Sequence, residues 1–136
     1  MGAGAIVTRA MNRVVVADDN PAMTLALSIL LKRAGWQVIA AHDGPAALAA
    51  IRVNRPAVAL IDIGLPGLDG VEVARCVRAD QLACRLVAIS GFGAPRDREA
   101  SRQAGFDAHL VKPIHPDELL AALGPASAEP VPESTG

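Results

Sequence analysis

The chain has 136 residues, 51% hydrophobic and 20% charged, with a formal net charge of -1. That is the size of one ordinary domain with enough apolar side chain to fill a core, which excludes wholesale disorder. The near-neutral charge removes the electrostatic case for nucleic-acid binding by this domain, and no apolar run approaches a membrane span.

Aromatic residues make up only 2%, so Ala, Val, Leu and Ile must build the core. Residues 1–12 lack a basic start followed by a long apolar stretch, so they read as a flexible extension and not as a signal peptide. Val14-Val15-Val16-Ala17 is continuously apolar and β-branched, as a strand covered on both faces should be. Asn20-Pro21 supplies a cap and a first-turn Pro for a helix carrying Met23, Leu27, Leu30, Leu31 and Ala34, and Gly35 is placed to end it. The cycle then repeats. A second strand is expected over Trp36 to Ala40 and a helix from Asp43-Gly44-Pro45 to about Asn54. A third strand is expected over Ala57 to Ile61, followed by a loop with Gly64, Pro66, Gly67 and Gly70. Val71 to Ala79 reads as a helix, Arg85 to Ile89 as a strand, and Pro95 to Gly105 as a helix. Ala108 to Val111 reads as the fifth strand, and Pro116 opens a last helix with Leu119, Leu120 and Leu123 on one face.

Strands alternating with helices imply an α/β fold, a doubly wound, five-stranded parallel sheet with helices on both faces. Residues 13–124 form that domain, and residues 125–136, with few large apolar groups, are expected to be a disordered tail or a linker stub.

The informative polar residues fall where strands stop. Asp18 and Asp19 end the first, Asp62 the third, Ser90 the fourth and Lys112 the fifth. Ligands of open parallel sheets bind beyond the carboxyl ends, where the strand order reverses. In a flavodoxin-like order 2-1-3-4-5, Asp18, Asp19 and Asp62 converge in one crevice. Crowded carboxylates repel one another and call for a cation, and an all-oxygen set suits Mg2+ better than zinc. Lys112 offers a point charge for a phosphoryl oxygen and Ser90 a hydroxyl donor. The assembled chemistry is in-line attack of a carboxylate on phosphorus.

The runs VVVADDNPAM, VALIDIGLPGLDG, LVAISGFG and GFDAHLVKPIHPDEL resemble the response-regulator receiver domain of bacterial two-component systems, over Arg13 to Leu123. The resemblance implies that Asp62 is the phosphoacceptor and that Asp19 and Asp62 bind Mg2+ directly. The backbone carbonyl of Gly64 would complete the protein ligands, with Asp18 acting mainly through bound water. Ser90 would move toward the phosphoryl group, Lys112 would pair with it, and Pro113 would follow through a cis bond. The resemblance also implies phosphorylation by a histidine kinase or histidine phosphotransfer domain. A surface of the fourth helix, fifth strand and fifth helix would then act on a downstream protein, as a monomer or a phosphorylation-dependent homodimer. Attachment to a hybrid histidine kinase is compatible with GFDAHLVKP followed by HPDEL. The expected location is cytoplasmic, and the chain is expected to be no multiple-turnover enzyme.

Two other functions compete. An aspartyl-phosphate phosphohydrolase would want a further acid on the first strand, at Asn20 or Pro21, and neither is one. A receiver-like adaptor working by binding alone would lack an acid, the lysine or the acceptor, and all are present.

His109 departs from the family pattern, which commonly has Tyr or Phe there. It is either a switching residue able to titrate or a partly exposed strand residue. Gly64 has no side chain to hold or exclude a hydrolytic water, so the phosphate lifetime would depend on Phe92 and the loop. Arg96, Arg98 and Arg102 read as a solvated helix face or part of the output surface. His42 and His115 read as surface residues, and Cys76 and Cys84 as reduced structural thiols.

Overall fold

The computed structural model describes residues 12–91 and 95–124, in which strands and helices alternate. They run β1 (Arg13–Ala17), α1 (Pro21–Arg33), β2 (Gln37–Ala41), α2 (Gly44–Asn54), β3 (Val58–Asp62), α3 (Gly70–Ala79), β4 (Arg85–Ser90), α4 (Pro95–Ala104), β5 (Ala108–Val111) and α5 (Pro116–Leu123). All neighbouring strands are parallel, in the order β2-β1-β3-β4-β5 that the sequence implied. Phe92 and the stretches 1–11 and 125–136, expected to be an extension and a tail, lie outside the described residues.

Local chemistry sets the helix ends. The Asn20 side chain accepts from the Ala22 N–H and Pro21 opens α1, while Gly35, at φ 100°, takes the left-handed turn after its end. Asp43 and Asp69 cap α2 and α3 by accepting from the backbone N–H groups of Ala46 and Glu72.

Two strands lie one residue further along than the apolar pattern implied. Trp36 is a buried residue ahead of β2, its N–H bound to the Leu31 carbonyl, and the ladder with β1 begins at Gln37. Asp62 and Ser90 are themselves paired in the sheet, with Ile89 and Val111, because backbone pairing ignores side-chain polarity. Ala34, the C-cap of α1, is exposed and leaves the expected apolar face, while the buried Thr24 joins it.

Side chains alternate across the sheet and divide the core into two layers. Val15, Ala17, Ala59, Ile61, Leu86 and Ala88 pack with residues of α2, α3 and α4. Val14, Val16, Val58, Leu60, Val87 and Ile89 pack with α1, α5 and Trp36. Both faces are therefore covered, and the strands' carboxyl ends are left to polar side chains. Cys76 and Cys84 are free thiols, and burial pushes the Cys84 thiol up to about 12, so it stays protonated and inert. No described helix is long and apolar enough to cross a membrane.

Candidate functional site

Asp18, Asp19 and Asp62 meet at the carboxyl edge of β1 and β3. One carboxylate oxygen from each lies within 4.8 Å of the others. The loop after β1 does the placing: the Asn20 N–H donates to Asp18 Oδ1 at 2.9 Å, holding the carboxylate of a residue only 1% exposed. Asn20 thus serves twice, capping α1 with its side chain and orienting Asp18 with its backbone, a role its cap signal alone did not reveal.

Asp62 is held in the same manner, its Oδ1 accepting from the Gly64 N–H at 2.8 Å. Lys112 reaches across from the end of β5. Its Nζ stands 3.1 Å from Asp18 Oδ2 and 3.1 Å from Asp62 Oδ2. The Lys112–Pro113 bond is cis, as the resemblance implied.

Gly70 explains how α3 approaches so closely. A Cβ there would lie 2.6 Å from the Asp62 carbonyl oxygen and 2.7 Å from Ile63 Cα. Gly64 is different, since a Cβ on it would meet nothing nearer than Asp62 Oδ1 at 3.6 Å.

The electrostatics are unbalanced. Burial pushes the Asp18 carboxyl above its ordinary 3.8; the Asn20 N–H and Lys112 oppose this, and the charge of Asp62 adds to it. Burial lowers the Lys112 ammonium, but the hydrogen bonds and charges of Asp62 and Asp18 outweigh it, so its net displacement is upward from 10.5. Three carboxylates face one ammonium, leaving two uncompensated negative charges when all are ionised. A crowded, all-oxygen, doubly negative cluster fits a hard divalent cation and could bind one.

Ser90 and His109 form a second pair, between the end of β4 and β5. Ser90 Oγ lies 2.8 Å from His109 Nε2, and both side chains are withdrawn from full exposure. The sequence offered no sign of this bond, because the partners are 19 positions apart and only the β4–β5 register brings them together. His42 and His115 are exposed, as expected. Arg98 is exposed, and Arg102 is paired with Glu99 one turn earlier on α4, which accords with a solvated face. The side chain of Arg96 lies outside the described residues.

A doubly wound sheet in this order, with three acids and a lysine at its carboxyl edge, defines the class of flavodoxin-like proteins with a phosphate- or cation-binding crevice. Residues 14–124 match the response regulator receiver domain, and the chain belongs to that family. Members are signalling proteins of two-component systems and not turnover enzymes. The chain is similar to the DNA-binding response regulator MtrA of Mycolicibacterium smegmatis, 35% identical over 111 residues that make up 82% of this chain and 48% of MtrA. It is also similar to the receiver domain of NarL from Mycobacterium tuberculosis, at 36% identity and TM-score 0.77, covering 82% of this chain and 91% of that one. A third likeness is to the receiver domain of the sensor histidine kinase PA1611 from Pseudomonas aeruginosa. It is 29% identical at TM-score 0.76, covers 82% of this chain and 93% of that one, and was solved with magnesium in its active-site cleft. The chain spans about half the length of the curated relatives it matches.

Proposed function

We propose that this receiver accepts a phosphoryl group on Asp62, in a Mg2+-dependent transfer from a histidine kinase or histidine phosphotransfer domain. The observation that carries the reading is the position of Lys112 Nζ, 3.1 Å from the carboxylates of both Asp18 and Asp62, with Asp19 completing the acidic cluster. An acidic cluster that keeps one ammonium in place is arranged for an incoming anion as well as for a cation.

Asp19, Asp62 and the Gly64 carbonyl would hold the cation, with Asp18 acting mainly through water. Bound there, Mg2+ would supply charge neutralisation for the phosphoryl oxygens. The steps belonging to this chain are simple. The Gly64 N–H and Lys112 orient the Asp62 carboxylate. One carboxylate oxygen forms the new O–P bond as the donor's bond to phosphorus breaks and its electron pair leaves with the donor group. Lys112 then transfers its pairing from the carboxylate to a phosphoryl oxygen, and Ser90 donates its hydroxyl to another. The readout is altered affinity of the face formed by α4, β5 and α5 for a downstream protein, through contacts that differ between the two states. DNA binding, which belongs to MtrA as a whole by its name, is not required of the matched region in this reading.

The test is incubation with acetyl phosphate and Mg2+ followed by intact mass measurement. Wild type should gain one phosphoryl group, chelator should prevent the gain, and Asp62→Ala should gain none. Labelling that survives in Asp62→Ala refutes the assignment.

A further inference from the structure

The hydrogen bond between Ser90 and His109 joins β4 to β5 through side chains that no backbone pairing requires. In the register of these strands His109 stands opposite Ala88 and Ser90 opposite Val111. The two side chains therefore share one face of the sheet. Ser90 also lies one residue beyond Ile89, the ladder partner of Asp62, so Ser90 and Asp62 both stand at the carboxyl ends of neighbouring strands.

The chemistry of the pair depends on one proton. Ser90 is 8% exposed, and a buried hydroxyl directs its hydrogen to an acceptor within reach. Nε2 of a neutral imidazole can be that acceptor, at the observed 2.8 Å. A protonated imidazole has donors at both nitrogens. Nε2 would then give its hydrogen to an Oγ lone pair, and the Ser90 hydrogen must turn to another acceptor. The heavy atoms need not move, yet the direction of the hydrogen bond reverses.

We propose that His109 is a positioning residue whose protonation releases the Ser90 hydroxyl toward a phosphoryl group on Asp62, so that phosphorylation and proton uptake by His109 favour one another. The proposal rests on the reading of Asp62 as phosphoacceptor. By linkage, the coupling is reciprocal: whatever protonation adds to phosphoryl contact, phosphorylation adds to proton affinity.

His109 is half buried and lines a cavity of about 270 Å³ whose walls include exposed side chains of α4. Among the described residues, the charged and titratable groups around it are Arg98, Glu99 and Arg102 of α4, Asp107 ahead of β5, and His115 and Glu118 at the start of α5. Glu99 is paired with Arg102 and Asp107 with Arg78. None of these groups belongs to the acidic cluster. Imidazole is the side chain whose charge ordinarily changes between about pH 5 and pH 8, which gives the latch a physiological input.

The experiment is ¹⁵N and ¹H NMR of the His109 ring in the full chain from about pH 5.5 to about pH 8. Spectra are taken with and without acetyl phosphate and Mg2+, with phosphoryl occupancy read by intact mass. In the unphosphorylated protein the ¹⁵N shifts should show Nε2 as the acceptor and Nδ1 as the protonated nitrogen. Phosphorylation should raise the titration midpoint by about one unit, a tenfold gain in proton affinity. Ser90→Ala keeps the charge on Asp62 but removes the hydroxyl, and should lose more than half of that rise; Ser90→Thr should restore it. A labelled protein whose midpoint stays put overturns the latch, and so does an equal rise in Ser90→Ala, which would reduce the effect to the charge of the phosphoryl group. Absence of labelling at all overturns the phosphoacceptor reading and the latch together, and the mass measurement separates that outcome from the others.

Discussion

Asp18 Oδ2 and Lys112 Nζ stand 3.1 Å apart, the acid 1% exposed and the lysine side chain 28%. The residues come from opposite ends of the domain, and the pair links the ends of β1 and β5 across β3 and β4. Replacing Lys112 by Met keeps the aliphatic stem and removes the charge. With Asp18 and Asp62 left facing one another, the fold should lose ~1–3 kcal/mol at pH 7, below the full penalty of a broken buried pair because Lys112 is partly solvated. Urea denaturation in chelator measures it, and added Mg2+ should recover more stability in the variant than in wild type.

The pH dependence follows from the signs. The Lys112 displacement is upward from 10.5, so its stabilising contribution is complete below that value and is lost only as pH rises past its folded value. Asp18 is also displaced upward, from 3.8, chiefly by burial. Its folded form prefers the proton, so its contribution is present below 3.8 and lost as pH rises through the higher folded value. Asp18→Asn removes that titration. In chelator, the stability of wild type relative to Asp18→Asn should fall as pH rises from 3.8 toward neutrality, and parallel curves would contradict the assignment.

Asp19 is the exposed member of the acidic cluster, whereas Lys112 and backbone N–H groups hold Asp18 and Asp62. Asp19→Asn relieves like-charge repulsion, so the metal-free protein should gain about 1 kcal/mol. The same change should weaken Mg2+ binding and labelling by acetyl phosphate. A variant that is both more stable and less active is the signature of a site strained by its own charges, and thermal unfolding with and without Mg2+ reads it directly.

Two glycines near Asp62 should respond differently to a methyl group. At Gly70 the added carbon would press into the Asp62 carbonyl oxygen at 2.6 Å, forcing α3 away from the end of β3. Gly70→Ala should therefore destabilise by ~1–3 kcal/mol and impair labelling. At Gly64 the nearest atom is 3.6 Å away, so Gly64→Ala should change stability by less than ~0.5 kcal/mol. Thermal unfolding of the two variants side by side makes the comparison.

Arg78 ties α3 to the turn that ends α4. Its guanidinium donates to the Gly105 carbonyl at 3.0 and 2.7 Å, to the Cys84 carbonyl at 2.9 Å and to Asp107 at 2.9 Å. Arg78→Gln should cost about 2 kcal/mol, since hydrogen bonds from a charged donor to partly buried carbonyls are lost. Amide exchange should show the loss concentrated at the C-terminal end of α4, and uniform loss across the sheet would argue against it.

Much of this molecule was legible as pattern. The β-branched runs declared the buried strands, and Asn20-Pro21 and Asp43 carried their helix starts in their own cap chemistry, whereas the Asp69 cap of α3 emerged only in the structure. Those signals are local, and local backbone sterics and hydrogen bonding decide them. The acids and Lys112 could be brought together in advance because a parallel sheet of known order has only one carboxyl edge. Strand limits shifted by a residue, since a ladder continues through Asp62 and Ser90 regardless of polarity.

What the chain alone could not decide is which side chains touch. That Lys112 reaches two acids at 3.1 Å, that Arg78 spans three carbonyl and carboxylate partners, and that Ser90 bonds to His109 are consequences of register and packing between distant segments. The sequence determined that Asp62 would stand among Asp18, Asp19 and Lys112, because spacing and strand order suffice for that. Only the tertiary structure turned His109 from a polar departure on a strand into the partner of Ser90, because a hydrogen bond depends on distances of a few tenths of an ångström that no periodicity encodes.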